Sequence, residues 1–323
     1  MRSKTILVVS DIHFAAATER ARPNYELSSI HRPVTRFLLQ AYRRHVWLRD
    51  PLDKGYLLDR FLQEAPEADL VVANGDYSVD SAFVGVSDDA SLESARACLE
   101  KLRLRFGRKF HAVFGDHELG KFSMIGRQGG LRLASWTRSI ETLRLEPFWK
   151  IELGPYVLMA VTSSLVALPA YQPETLPEEW PAWTALREEH LGRIRAAFAQ
   201  LDPAQRVILF CHDPTALPFL GRDETVAARL PQLECTVIGH LHSPLILWQS
   251  GILAGMPVIR GCGNTLLRLS TSLGQARGWK AFHPKLCPAL AGIELLKDGG
   301  YLTLQLDLDR REPAVISRHR LRR

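Results

Sequence analysis

The chain has 323 residues, 46% hydrophobic and 24% charged, the balance of a globular protein with a core of its own. Its net charge of +6 is local: five Arg and no acid give +5 between 31 and 49, six Arg and one Glu give +5 between 310 and 323, and the rest carries −4, an acidic body that argues against nucleic acid as a partner. No apolar run of about 18 residues is present to span a membrane, the few apolar residues before Asp11 are too short for a signal peptide, and five scattered cysteines without a CxxC pair argue for a reducing, cytoplasmic setting rather than a disulfide frame.

Residues 5–10 read as a buried parallel strand, short, β-branched and uninterrupted, which runs into Asp11-Ile12-His13. Side chains at i and i+2 of a strand end point the same way, so this carboxylate and imidazole can share a cation; a polar turn capping a helix is the plainer reading. A long passage punctuated by Pro23, Pro33 and Pro51 follows. Within it Phe37, Leu38, Ala41, Tyr42, His45 and Leu48 fall at helical spacing, with Arg36, Arg43, Arg44 and Arg49 between them. The favoured reading is a helix packed on the core with solvated arginines. The sharper one is a basic, aromatic lid over 31–49 that touches a membrane surface or grips an anionic or acylated substrate. Residues 55–63 read as a second short helix.

The second strand, 69–73, ends in Asn74-Gly75-Asp76, where the glycine allows a tight turn and Asp76 projects from the strand end. A carboxylate has two oxygens and can bridge two cations; one imidazole nitrogen cannot. A helix over 91–104 leads to the strand 110–114 and to Gly115-Asp116-His117-Glu118. Open α/β sheets place their ligands at such C-terminal lips. The Gly-rich stretch after it carries Lys121 and Arg127 and reads either as a phosphate clamp or as a surface loop. Further strands are expected at 155–162 and at 206–210, the latter ending in Cys211-His212-Asp213-Pro214, with an amphipathic helix over 185–201 between them. The strand 235–238 ends in Gly239-His240-Leu241-His242, two imidazoles with room to converge. Five of the eleven histidines thus follow predicted strands, the feature that most separates this chain from an ordinary α/β protein. The remainder reads as structural: strands at 256–260, 291–296 and 301–308, the last two joined as a hairpin at 297–300, and a solvated basic tail over 310–323. One domain over 1–309 is expected, with a helical insertion at about 23–62.

Carboxylates and imidazoles on successive strand ends suit divalent transition ions such as Mn, Fe or Zn better than Mg or Ca. Two ions sharing Asp76 would clamp a phosphoryl group and lower the pKa of a bridging water, leaving His117 as the spare imidazole to protonate the leaving oxygen. The ordered motifs between residues 11 and 242 resemble the five blocks of the calcineurin-like metallophosphoesterases. That resemblance implies an α/β/β/α sandwich with a dinuclear site at the strand ends. It implies Asp11, His13, Asp76 and His242 around one metal, Asp76, Asp116, His212 and His240 around the other, and His117 in the place of the catalytic histidine. The chain departs from the family pattern at Asp116, where Asn is usual, and at Asp80, which lies four residues after Asp76 rather than three and is followed by no Arg-Gly. The expected activity is metal-dependent hydrolysis, through a metal-bridged hydroxide, of a phosphoester or pyrophosphate bond in a small or lipid-linked substrate, with Mn as the expected metal. A nuclease and a non-catalytic metal-binding scaffold on the same fold are the alternatives.

Overall fold

Runs of aliphatic residues without a polar break need cover on both faces, and in the computed structural model of the chain, which describes residues 3–22, 30, 32–123, 128–261, 263–309 and 312–321, two facing sheets and their outer helices supply it. In the first sheet β1 (Ser3–Val9), β2 (Leu70–Asn74) and β3 (Phe110–Val113) run parallel, with Ile6 opposite Leu70 and Val72 opposite His111. In the second, β4 (Phe148–Leu153) pairs antiparallel with β5 (Tyr156–Val161). Then β6 (Arg206–Cys211), β7 (Leu233–Ile238) and β8 (Pro284–Leu286) continue in parallel. Two late strands, β9 (Gly300–Asp307) and β10 (Val315–Arg320), return antiparallel to close the first sheet beside β1.

Strand periodicity sorts the side chains into layers. Ile6, Val8, Val72, Leu158, Ile208, Phe210 and Val237 form the core between the sheets. Their neighbours Leu7, Val9, Val71, Met159 and Leu209 face outward into helices. The principal helices are α1 (Pro33–His45), α2 (Tyr56–Glu64), α3 (Asp89–Phe106), α4 (Leu133–Glu141), α5 (Trp180–Ala199), α6 (Pro244–Ile252) and α7 (Asn264–Gln275). Leu57 and Phe61 of α2, Cys98, Leu99 and Leu102 of α3, and Trp183 and Ile194 of α5 share one cluster with those outward strand residues. The expected α/β/β/α sandwich is therefore what forms: two sheets flanked by helices. Asp88 starts α3 by accepting the Ser91 N–H at 3.0 Å, an N-cap that the pattern around residue 91 only approximates.

Four sequence expectations need correction. Helix α1 buries none of its residues: Val34, Phe37 and Leu38 are 61–69% exposed, so the core-packed reading of 34–49 fails over the helix, and it is Leu48, past the helix end, that joins the core. Residues 256–260 form no strand, because β8 takes the place beside β7 and the Ile259 N–H goes instead to Ser270 Oγ at 2.9 Å. Residues 291–296 form turns in which Asp298 Oδ1 accepts the Ile293 N–H, while Glu294 and Leu295 donate to the carbonyls of Trp47 and Val46 at 2.5 and 3.1 Å. The hairpin partner of β9 is consequently β10, and much of the supposed solvated tail is a sheet edge. Its charges suit that position, since an edge strand rich in Arg resists pairing with another chain. Ile316 packs on the inter-sheet core, and His319 stacks on Tyr301 with ring centroids 5.0 Å apart.

Candidate metal centre

Strands β1, β2, β3, β6 and β7 all open at their C-terminal ends onto one place. The chain leaves those strands in unusual conformations: Asp11, His13, Asp76, His240 and His242 all have φ between 49° and 61°. That left-handed region costs a non-glycine residue of the order of 1–3 kcal/mol, and such strain gathers where side-chain direction matters more than stability. Two glycines allow the backbones to meet. A Cβ on Gly115 would stand 2.2 Å from Asp76 Oδ1, and one on Gly239 would stand 2.2 Å from Ser10 Oγ and 2.7 Å from Asp11 Oδ2.

All eight residues singled out in the sequence converge here, seven of them in two groups and His117 beside them. In one, ligand atoms of Asp11, His13 and His242 lie within 4.8 Å of one another. His242 Nε2 is 3.4 Å from Asp11 Oδ1 and 3.3 Å from His13 Nε2, so two ring nitrogens face each other. In the other, Asp76, Asp116, His212 and His240 meet by the same measure. His212 donates Nδ1–H to the Asn74 carbonyl at 2.5 Å, which directs Nε2 to Asp116 Oδ1 and Asp76 Oδ2, each 3.2 Å away. His240 Nδ1 is 2.9 Å from Asp116 Oδ1. Asp76 lies between the groups, its Oδ2 4.0 Å from His13 Nε2 and 3.6 Å from His117 Nε2. His240 and His242, which had room to converge, instead face opposite groups, the division that the family resemblance implies, whereas Asp11 and His13 stay together.

The electrostatics ask for positive charge. Asp11, Asp76 and Asp116 are at most 1% exposed, and the remaining oxygens Asp76 Oδ2 and Asp116 Oδ2 make no hydrogen bond among the described residues. A buried carboxylate is stable only when paired or coordinated. Burial alone would lower both His212 and His240, yet the carboxylates win. The Asp76 and Asp11 charges raise His212 well above the usual imidazole range, and Asp116 and Asp213 hold His240 up at about 9. Burial prevails at His13 and His242, which are lowered and stay neutral, as metal-ligating imidazoles are. Oxygen and imidazole donors at this spacing, with unsatisfied buried carboxylate oxygens, fit a pair of divalent transition ions.

His117 stands against Asp76, with its ring centroid 4.5 Å from that of His13. Burial lowers it to about 3; its Nδ1 has no partner among the described residues, while Nε2 is hydrogen-bonded to Lys121. Lys121 Nζ also lies 3.6 Å from Asp116 Oδ2. Burial works against its charge, but Asp116, Asp76 and Asp80 together raise its pKa. The phosphate-clamp reading thus finds Lys121 at the centre, while Arg127 lies outside the described residues.

Three residues have positions the sequence reading did not assign. Glu118 accepts the backbone N–H groups of Gly115, Asp76 and Tyr77 at 2.8, 3.1 and 2.8 Å, tying two strand ends together, and burial followed by the Asp76 charge pushes it up to about 8. Asp213 has its Oδ2 3.9 Å from His240 Nε2 and accepts the Tyr171 hydroxyl. Trp47, just past α1, stacks on His242 at 5.2 Å and 24°. Asp80 is spent elsewhere, accepting the Gly85 N–H at 2.9 Å. Position in the motif hinted at Glu118 and Asp213; nothing local marked Trp47.

A family model described as calcineurin-like phosphoesterase matches residues 4–244. Among solved structures, a phosphopantetheinyl hydrolase from Mycobacterium tuberculosis is similar at TM-score 0.40 and 17% identity, over 74% of this chain and 83% of that one. A dimetal phosphatase from Danio rerio gives TM-score 0.48 and 12% identity over 98% and 95%, and a purple acid phosphatase from yellow lupin seeds gives 0.35 and 12% over 75% and 38%. No match was found among curated protein sequences.

Proposed function

The chain belongs to the calcineurin-like phosphoesterase family, whose members are metallophosphoesterases, and from that premise we propose that it hydrolyses a phosphoester or pyrophosphate bond in a small or lipid-linked substrate. The observation that carries the reading is Asp76, buried between two sets of oxygen and imidazole donors and in reach of both. Asp11, His13, Asp76 and His242 would hold one divalent ion, and Asp76, Asp116, His212 and His240 the second, with Mn preferred to Fe or Zn. When bound, such a pair supplies Lewis acidity at the phosphoryl oxygens and lowers the pKa of a water between the ions.

The chain's own groups do the rest. Lys121 would present a half-buried ammonium to an incoming phosphate oxygen. His117 accepts from the Lys121 ammonium at Nε2, and a proton taken up at that nitrogen would be delivered to the leaving oxygen. Glu118 fixes the Asp76 backbone. Helix α1 supports the lipid-linked preference. Its exposed Val34, Phe37, Leu38 and Tyr42 share the helix with Arg36, Arg43 and Arg44, and a cleft of about 760 Å³ lies beneath it between Arg20, Arg22 and Arg49. We infer a single domain with 23–62 as an insertion serving that purpose. A cytoplasmic location is supported by Cys98, Cys211, Cys235 and Cys287, all buried free thiols; Cys262 lies outside the described residues. No helix among the described residues is long and apolar enough to cross a membrane.

The test is a substrate panel with Mn: an aryl monoester, a diester, a nucleotide-sugar lipid and DNA. Hydrolysis of a phosphoester or pyrophosphate is expected, with His117→Ala lowering kcat by about 10²–10⁴-fold at unchanged metal content. Metal-loaded protein inert on the whole panel contradicts the function, and full activity in His117→Ala contradicts the acid assignment.

A further inference from the structure

On the flank of the centre formed by Asp116, His212 and His240 there is a cavity of about 240 Å³ between α6 and α7. His240 and Asp213 form one wall, so the cavity borders the site directly. Leu241, Ile246, Leu253, Leu269 and Leu273 make the lining mainly apolar. A cavity of about 150 Å³ lined by aliphatic and aromatic side chains accepts a benzene ring, so this one has room for a substituted ring.

Two further observations point to an occupant. Trp279 lines the cavity at 5% exposure, and its Nε1–H has no acceptor among the described residues, although a buried indole N–H ordinarily finds one. Arg268 forms part of the same wall. Its guanidinium lies over the Tyr171 ring at 5.5 Å and pairs with Glu174 at 2.7 Å, and Tyr171 in turn bonds Asp213 beside His240. Tyr171, Asp213 and Arg268 thus tie the cavity wall to His240 of the centre, and Thr215, Gln249, Ser250 and Ser272 are its other polar members among the leucines. Nothing in the reaction proposed above uses this space.

We propose that the cavity is the subsite for the organic group attached to the scissile phosphate. Its occupant is an uncharged, apolar group of aryl size, with the Trp279 N–H available to an acceptor on it. This rests on the phosphoesterase reading and deepens it, since a substrate with only a small polar alcohol would leave the leucine wall empty. Bound in this way, the phosphate sits over Asp76 and Asp116 while the ring displaces water from beside His240, and burial of the ring adds affinity that a methyl group cannot.

Phenylphosphonate and methylphosphonate, which are not hydrolysed, separate the two ideas. Calorimetric titration of the Mn-loaded protein should show phenylphosphonate binding at least about 10-fold more tightly, as burial of a ring in an apolar cavity predicts. Leu269→Trp in α7 and Leu253→Trp just past the end of α6 fill the cavity mouth from two sides at positions 50% and 48% exposed, where a larger side chain need not disturb the core. Each should remove that preference and leave methylphosphonate affinity unchanged. Equal affinity for the two phosphonates, or a preference that survives both variants, overturns the subsite; hydrolysis on the substrate panel would then still uphold the phosphoesterase reading. Failure of both phosphonates to bind overturns the two together.

Discussion

Asp116 is where the chain departs from the family pattern, and its surroundings show how a second negative charge beside Asp76 is tolerated. Lys121 Nζ stands 3.6 Å from its free oxygen. If Lys121 compensates this charge, the two residues act as a unit. Asp116→Asn should keep kcat/KM within about tenfold, while Lys121→Met alone should lower it by about 10–100-fold, because it leaves a buried charge uncompensated. Lys121→Met should cost markedly less in the Asp116→Asn background, with a coupling of at least about 1 kcal/mol. A double-mutant cycle on kcat/KM checks this, and additive losses would refute it. A second residue, His190, is far from the chemistry. It accepts the Thr162 N–H through Nε2 at 3.1 Å, and burial, then Arg193, lower it to about 3. The unfolded chain protonates such a ring near 6.5 and the folded chain does not, so stability is full above 6.5 and is lost as pH falls toward 3. Between pH 7 and pH 5 that loss is about 2 kcal/mol. Urea unfolding should show the wild type losing about that much more than His190→Gln over this interval; parallel losses would contradict the assignment. At this scale the ligand set was legible because each member follows an aliphatic strand. The contacts of Asp213 and Trp47 were obscured because their partners Tyr171 and His242 come from distant segments, which only folding brings together.

Elements were legible where burial on both faces made the strand pattern continuous, as in β1, β2, β6 and β7. The pattern misled where apolar residues serve something other than a sheet. Leu295 and Leu296 sit 62% and 42% exposed in turns whose backbone N–H groups brace the segment carrying Trp47, and β10 was hidden by its edge-strand arginines. Helix α1 has the amphipathic spacing of a packed helix, yet nothing covers its apolar side among the described residues. Exposed positions of this kind contribute little to stability, typically within about 0.5 kcal/mol. The double substitution Phe37→Ser with Leu38→Ser should therefore leave Tm and aryl phosphate turnover unchanged, and reduce turnover of a lipid-linked substrate. A fall of several degrees in Tm, or equal loss on both substrates, would show that the helix is part of the core.

For the whole molecule, the two-sheet sandwich was recognisable from the order of strand-end motifs, which also carry the family match over 4–244. The closing of the first sheet by β9 and β10 lies beyond those motifs, in a region without ligands to mark it. The sandwich matters to function because it brings four parallel strand ends, together with the turn after β3, to one point. There the strained Asp11, His13, Asp76, His240 and His242 face one another. Anomalous diffraction from a crystal of the protein soaked in Mn tests this account most directly. It should reveal two peaks about 3.5–4 Å apart, one touched by Asp11, His13 and His242, the other by Asp116, His212 and His240, and both by Asp76. A single peak, or ions bound away from Asp76, would contradict it.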